Sequence, residues 1–162
     1  MCGERVAADG VGWGIGFARY KNSSGYCAVV AKVEVETDVA VRHLWIAADA
    51  GEIINPEGAA HQIEGGAVQA CSFALKEEVR FDRRQVLTSN WDEYPILRFS
   101  EVPSVDVKLL TPPGTPPLGV GECSTGPTIA AIANAIHDAV GVRPSKMPFT
   151  ASNLADEILN DQ

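Results

Sequence analysis

The chain has 162 residues, 46% hydrophobic and 21% charged, an ordinary globular composition large enough for one modest core. Its 21 acidic residues against 13 basic ones give a formal charge of -8, which argues against nucleic acid or an anionic membrane as partner, since phosphate recognition needs clustered Lys and Arg. No apolar run reaches bilayer-crossing length, and Met1-Cys2-Gly3-Glu4-Arg5 lacks the layout of a signal peptide, so a cytoplasmic or periplasmic protein with no membrane insertion is expected.

Residues 10–16 place glycine at every second position, a strand period in which one face carries no side chains and another backbone can approach closely. No G-x-G-x-x-G frame or phosphate loop occurs there. Phe17 to Lys21 is expected to continue the strand, and Asn22-Ser23-Ser24-Gly25 to turn it. Two strands follow, Tyr26 to Glu36 and Val39 to Ala48, joined at Thr37-Asp38 as an antiparallel pair. The second is rich in strand formers but less regular in its alternation.

Asn55-Pro56-Glu57 is a helix start: Asn caps, Pro opens the first turn and Glu suits the positive end. The helix should reach about Leu75. Ile63, Ala67, Ala70 and Ala74 form an apolar stripe, while Gln62, Gly65, Gly66 and Gln69 share another face. That second face suits a polar ligand at close range, although periodicity alone favours a solvated face with close helix contact.

The charged stretch from Lys76 reads as solvated surface, and Trp91 to Pro95 as an ordered loop. Val102 to Leu110 alternates as a strand. The proline-rich segment 111–117 is a stiff connector into Leu118-Gly119-Val120-Gly121-Glu122. Ile129, Ile132, Ala133, Ile136 and Val140 then mark a helix over 127–140, with Pro127 at its first position and Gly141 as its cap. Pro144 to Phe149 is a short extended piece, and Asn153 to Leu159 a last helix. The expected fold is a single α+β domain over 1–162: a mixed, largely antiparallel sheet with two main helices packed on one face.

Glu122 stands just ahead of a helix N-terminus, which favours negative charge. A structural cap and a working acid/base are both compatible with that place. Cys2, Cys27, Cys71 and Cys123 form no C-x-x-C pattern, and His43, His61 and His137 are scattered, so no metal site made from this chain is expected. A hydrolase using Cys123 or Ser124 with His137 is disfavoured, because His137 would lie about 20 Å along the helix axis at 1.5 Å per residue.

Three segments together resemble the molybdenum hydroxylase family, the xanthine dehydrogenase/aldehyde oxidase group. They are Asn55-Pro56, the run His61-Gln62-Ile63-Glu64-Gly65-Gly66-Ala67-Val68-Gln69-Ala70, and Gly119-Val120-Gly121-Glu122 opening a helix. The stretch is similar to the C-terminal part of the molybdopterin-binding large subunit. Gly14 to Asn22 is similar to the bacterial branch that includes isoquinoline 1-oxidoreductase beta subunits.

The resemblance implies Glu122 as the general base beside a molybdenum centre. It implies Gln62, Gly65, Gly66 and Gly121 as cofactor-binding residues, Gln62 approaching the cofactor and the glycines letting the helix come near the pterin. The reaction implied is hydroxylation of an aldehyde or an N-heteroaromatic carbon with water-derived oxygen. The implied cofactor is molybdopterin, in its cytosine dinucleotide form. The implied partners are the remaining molybdopterin-binding domains, an iron–sulfur subunit and a small-molecule substrate. Family subunits are several times longer, so this chain is expected to be a truncated or separately encoded piece that binds no cofactor alone. The competing expectation is a non-catalytic remnant that keeps the fold without the cofactor.

Overall fold

The computed structural model describes residues 10–112 and 114–160; the readings of Met1 to Arg5, Cys2 and Pro113 lie outside them. Four strands, β1 (Val11–Arg19), β2 (Tyr26–Val35), β3 (Val39–Asp49) and β4 (Ser104–Leu110), form one sheet in the order β1-β2-β3-β4. The first three are antiparallel neighbours and β4 runs parallel to β3. Between β3 and β4 the chain makes helix α1 (Pro56–Leu75); after β4 come α2 (Thr125–Val140) and α3 (Ala151–Asn160). The α+β architecture with a mixed, largely antiparallel sheet is as expected, with both main helices contributing to a single core.

The glycines of β1 do what their spacing predicts. A Cβ on Gly14 would sit 2.2 Å from the Ala131 carbonyl oxygen and 2.2 Å from the Ala135 nitrogen, so α2 lies directly on the β1 backbone. Ala131, Ile132, Ala135 and Ile136 of α2 are fully buried against Cys27, Val29, Ala31 and Val33 of β2. Ile63, Ala67, Ala70 and Ala74 of α1 are fully buried as well, so the apolar stripe faces inward. α1 lies beside α2 and over β4.

The irregular alternation of β3 has a specific cause. Lys32 pairs with His43 and Val33 with Val41, leaving Arg42 as an extra residue in the ladder. Burial shifts from Val41 to Leu44 and then resumes its period at Ile46 and Ala48. On the opposite side of the sheet, Trp45 stacks between Trp13, at 5.2 Å, and His43, at 3.9 Å between ring centroids.

Several boundaries differ from the sequence-based expectation. β1 ends at Arg19, and Tyr20–Asn22 forms one tight 3-10 turn with Lys21 and Asn22 at φ 49° and 58°. α2 begins at Thr125, so Pro127 occupies its third position, where a missing N–H is still an orphan of the first turn. In the piece over 144–149, Phe149 is buried and donates its N–H to the Ala74 carbonyl at the end of α1, 2.6 Å away. Asn55 caps α1 as expected, its side-chain oxygen accepting from the Gly58 N–H at 3.0 Å.

Candidate functional site

The site forms at the end of the sheet where β1 and β3 finish and β2 begins. The segment leaving β4 returns there: Leu118 donates its N–H to the Ala50 carbonyl at 2.8 Å, and Glu52 donates to Thr115 at 3.0 Å. These bonds fix where the glycine-rich loop starts. Its far end is fixed by α2, whose first turn closes through a bond from the Thr128 N–H to the Ser124 carbonyl at 3.0 Å. Glu122 lies between these two anchors, exposed, with Cys123 and Ser124 buried behind it.

α1 holds the loop from its other side. Gln62 donates its side-chain amide to the Gly121 carbonyl at 3.0 Å, and Ser124 donates its hydroxyl to the Ile63 carbonyl at 2.9 Å. Gly66 lies against the same hydroxyl: a Cβ there would sit 2.6 Å from Ser124 Oγ. Gly65 and Gly121, by contrast, face open space, with nothing within 4 Å of a Cβ built on either. The helix face marked by Gln62, Gly65, Gly66 and Gln69 therefore has two parts. Gln62 and Gly66 fasten the loop, and Gly65 leaves room.

A contact that the sequence reading did not identify involves Tyr20. Its phenol donates a hydrogen bond to Glu122 Oε2, across 102 positions of chain. That bond, followed by desolvation and the nearby negative charge, raises the phenol above its ordinary range. Lys21 places its ammonium 5.2 Å from the centroid of the Tyr20 ring. Tyr20, Lys21, Gln69, Phe73, Glu122 and Thr125 line a cleft of about 450 Å³. Gln62, Asn55, Gly58 and Val120 line a second cleft of about 360 Å³ on the other side of the loop. A cavity of about 520 Å³ lies at the opposite end of the sheet against Val39, Leu75 and Leu97, and none of the predicted site residues borders it.

Cys27, Cys71 and Cys123 remain thiols inside the core. The Cys27 thiol donates toward Cys123, and that interaction together with burial drives Cys27 far up, while the Cys123 thiol donates to the Val120 carbonyl at 3.8 Å. Burial pushes Cys71 up to about 12. Ser124 spends its hydroxyl on Ile63, and Cys123 and Ser124 are both buried, which removes the support for a Cys123 or Ser124 nucleophile acting with His137.

The donor set bears on which cofactor this place suits. Among the described residues, no three of His, Cys, Asp and Glu gather where they could hold a metal ion. These residues by themselves thus offer no ligand set for a bare ion, and the group to weigh is a metal carried on an organic ligand. Open space at Gly65 and Gly121, next to an exposed carboxylate and two glutamine amides, fits a large polar group of that kind. No helix among the described residues is long and apolar enough to cross a membrane.

Comparison with known proteins gives a consistent result. The family described as the molybdopterin cofactor-binding domain matches residues 9–103. A nicotinate dehydrogenase subunit of Pseudomonas putida is 43% identical over 152 residues, covering 88% of this chain and 13% of that protein. The beta subunit of isoquinoline 1-oxidoreductase from Brevundimonas diminuta is 34% identical over 110 residues, covering 66% of this chain and 14% of its own. Among solved structures, quinoline 2-oxidoreductase from Pseudomonas putida 86 superposes with a TM-score of 0.73 at 28% identity, covering 83% of this chain and 18% of that one. The chain thus spans less than a fifth of the length of each of these relatives.

Proposed function

The chain belongs to the molybdenum hydroxylase family, and from that premise we propose that it is the portion of the large subunit that carries the general base, Glu122. It corresponds in this reading to the C-terminal molybdopterin-binding part of a larger subunit, completed by further molybdopterin-binding domains and an iron–sulfur subunit. The observation that carries it is the joint anchoring of one exposed carboxylate: Gln62 of α1 bonds the carbonyl next to Glu122, while Gly65 and Gly121 leave that side open.

Gln62, Gly65, Gly66 and Gly121 would border the pterin, in its cytosine dinucleotide form. When bound, molybdopterin supplies the two-electron redox chemistry and the water-derived oxygen. Glu122 would take up and hold, at its carboxylate, the proton given up when an electron-poor carbon is hydroxylated. Gln62 holds the Gly121 peptide, and with it the direction in which the Glu122 side chain leaves the loop. The substrates are aldehydes or N-heteroaromatic compounds, the second class in line with the names of the nicotinate, isoquinoline and quinoline relatives. The site lies at the surface of this chain, with Gln62, Gly65, Gly121 and Glu122 all exposed, so pocket walls have to come from the remaining domains. The test is steady-state turnover of the complete enzyme with Glu122→Gln, at equal molybdenum content. A loss of at least about a hundredfold is expected, the usual scale for a general base.

A further inference from the structure

We infer that Tyr20 is a positioning residue for Glu122, fixing the carboxylate through its phenol and assigning proton uptake to the oxygen it leaves unengaged. The inference rests on the reading of Glu122 as base. The bonds that anchor the loop fix its backbone and leave the Glu122 carboxylate itself to be held: Gly119 and Gly121 precede it, neither with a neighbour within 4 Å of where a Cβ would be. The Tyr20 phenol donates to Glu122 Oε2. Oε1 is then the oxygen left for the proton.

Tyr20 is itself held from several directions. Its N–H donates to the Gly25 carbonyl at 3.0 Å, and its own carbonyl accepts from Ser24 at 2.9 Å and from Ser23 at 3.3 Å. Its ring is partly buried against the core, and the Lys21 ammonium lies over it. The next two residues, Lys21 and Asn22, both adopt left-handed backbone, a sparsely populated conformation that the turn must sustain. Without that turn the chain would carry Tyr20 onward along β1 and away from the loop. A rigid tight turn after β1 thus presents one phenol to one carboxylate 102 positions later.

The first test needs no cofactor. In the 162-residue chain, the phenol absorbance transition lost in Tyr20→Phe identifies Tyr20 among the three tyrosines. In Glu122→Ala that transition should fall toward its ordinary value of 10.0. An unchanged transition would overturn the inference whatever the activity shows. The second test uses the complete enzyme. Tyr20→Phe should lower kcat by roughly tenfold to a hundredfold, the scale of a hydrogen bond to a charged group, with KM and molybdenum content unchanged. If Glu122→Gln abolishes turnover but Tyr20→Phe keeps the parent kcat, the positioning role is wrong and the base stands. If Glu122→Gln retains turnover, the base reading fails and the positioning role fails with it.

Discussion

Gln62 and Gly121 are joined by a 3.0 Å hydrogen bond from a helix side chain to a loop carbonyl, 59 positions apart in the sequence. Together with the bond from Ser124 to Ile63, it binds α1 to the loop carrying Glu122. Gln62→Ala should lower stability by about 1 kcal/mol or less, because the bond is exposed to water. Gln62→Glu should cost more, since it sets a carboxylate against a carbonyl beside Glu122. Urea midpoints for the two variants check the order, and equal midpoints would show that the amide is not bearing on the loop.

Two glycines should separate packing from ligand approach. Gly14→Ala puts a Cβ 2.2 Å from backbone atoms of α2, which cannot rotate away, so the helix must lift off the sheet at a cost on the order of 3 kcal/mol or more. Gly65→Ala meets nothing and lies in the interior of α1, so it should stabilise the chain by about 1 kcal/mol. In the complete enzyme the proposed approach of the pterin at Gly65 predicts that the same Gly65→Ala reduces molybdopterin content. Denaturant unfolding of the chain and pterin analysis of the enzyme read the two effects separately.

These cases indicate which features were legible. Asn55-Pro56 announced α1 because capping is local chemistry, and the glycine period of β1 announced a close backbone because one bare face has few other uses. The start of α2 was misplaced by two residues because proline is tolerated throughout the first turn, where no N–H is needed. The parallel pairing of β4 with β3 depends on the path of the whole 50–103 crossover, and no local pattern encodes it. Tyr20 falls inside the expected strand, which runs to Lys21, because the Lys21 and Asn22 conformations that turn the chain have no glycine to signal them. Glu122 and the glutamine face were both visible, yet their meeting is a long-range fact.

Alkaline pH should loosen the core through Cys71. Burial raises this thiol from an ordinary 9.0 to about 12, so the folded state holds its proton more tightly than the unfolded chain does. The corresponding stability is present in full below about pH 9 and is lost as the pH climbs toward about 12. Tyr20 and Tyr94, both raised by hydrogen bonds to carboxylates, Glu122 and Glu77, act in the same direction. Unfolding midpoints should therefore decline over that window, and Cys71→Ala should decline less steeply. A parallel decline would exclude Cys71 as a source.

The 162-residue chain alone should carry no stoichiometric molybdenum when produced in a molybdenum-replete host. Its site residues occupy an open edge, and the described residues include no group of ligands that would hold the metal directly. Metal analysis of the purified chain checks this. A one-to-one content would mean that these residues suffice to retain the cofactor without the remaining domains.

The central claim is that Glu122 is the base of a molybdenum hydroxylase reaction. Its most direct test is the first turnover of the complete enzyme, followed anaerobically by reduction of the bound redox centres after mixing with substrate. Glu122→Gln, with molybdenum and pterin content matched to the parent, should slow that step by at least about a hundredfold, while Glu122→Asp should recover part of the rate. A first turnover in Glu122→Gln within a few-fold of the parent would contradict the claim and leave this segment as a scaffold beside the chemistry.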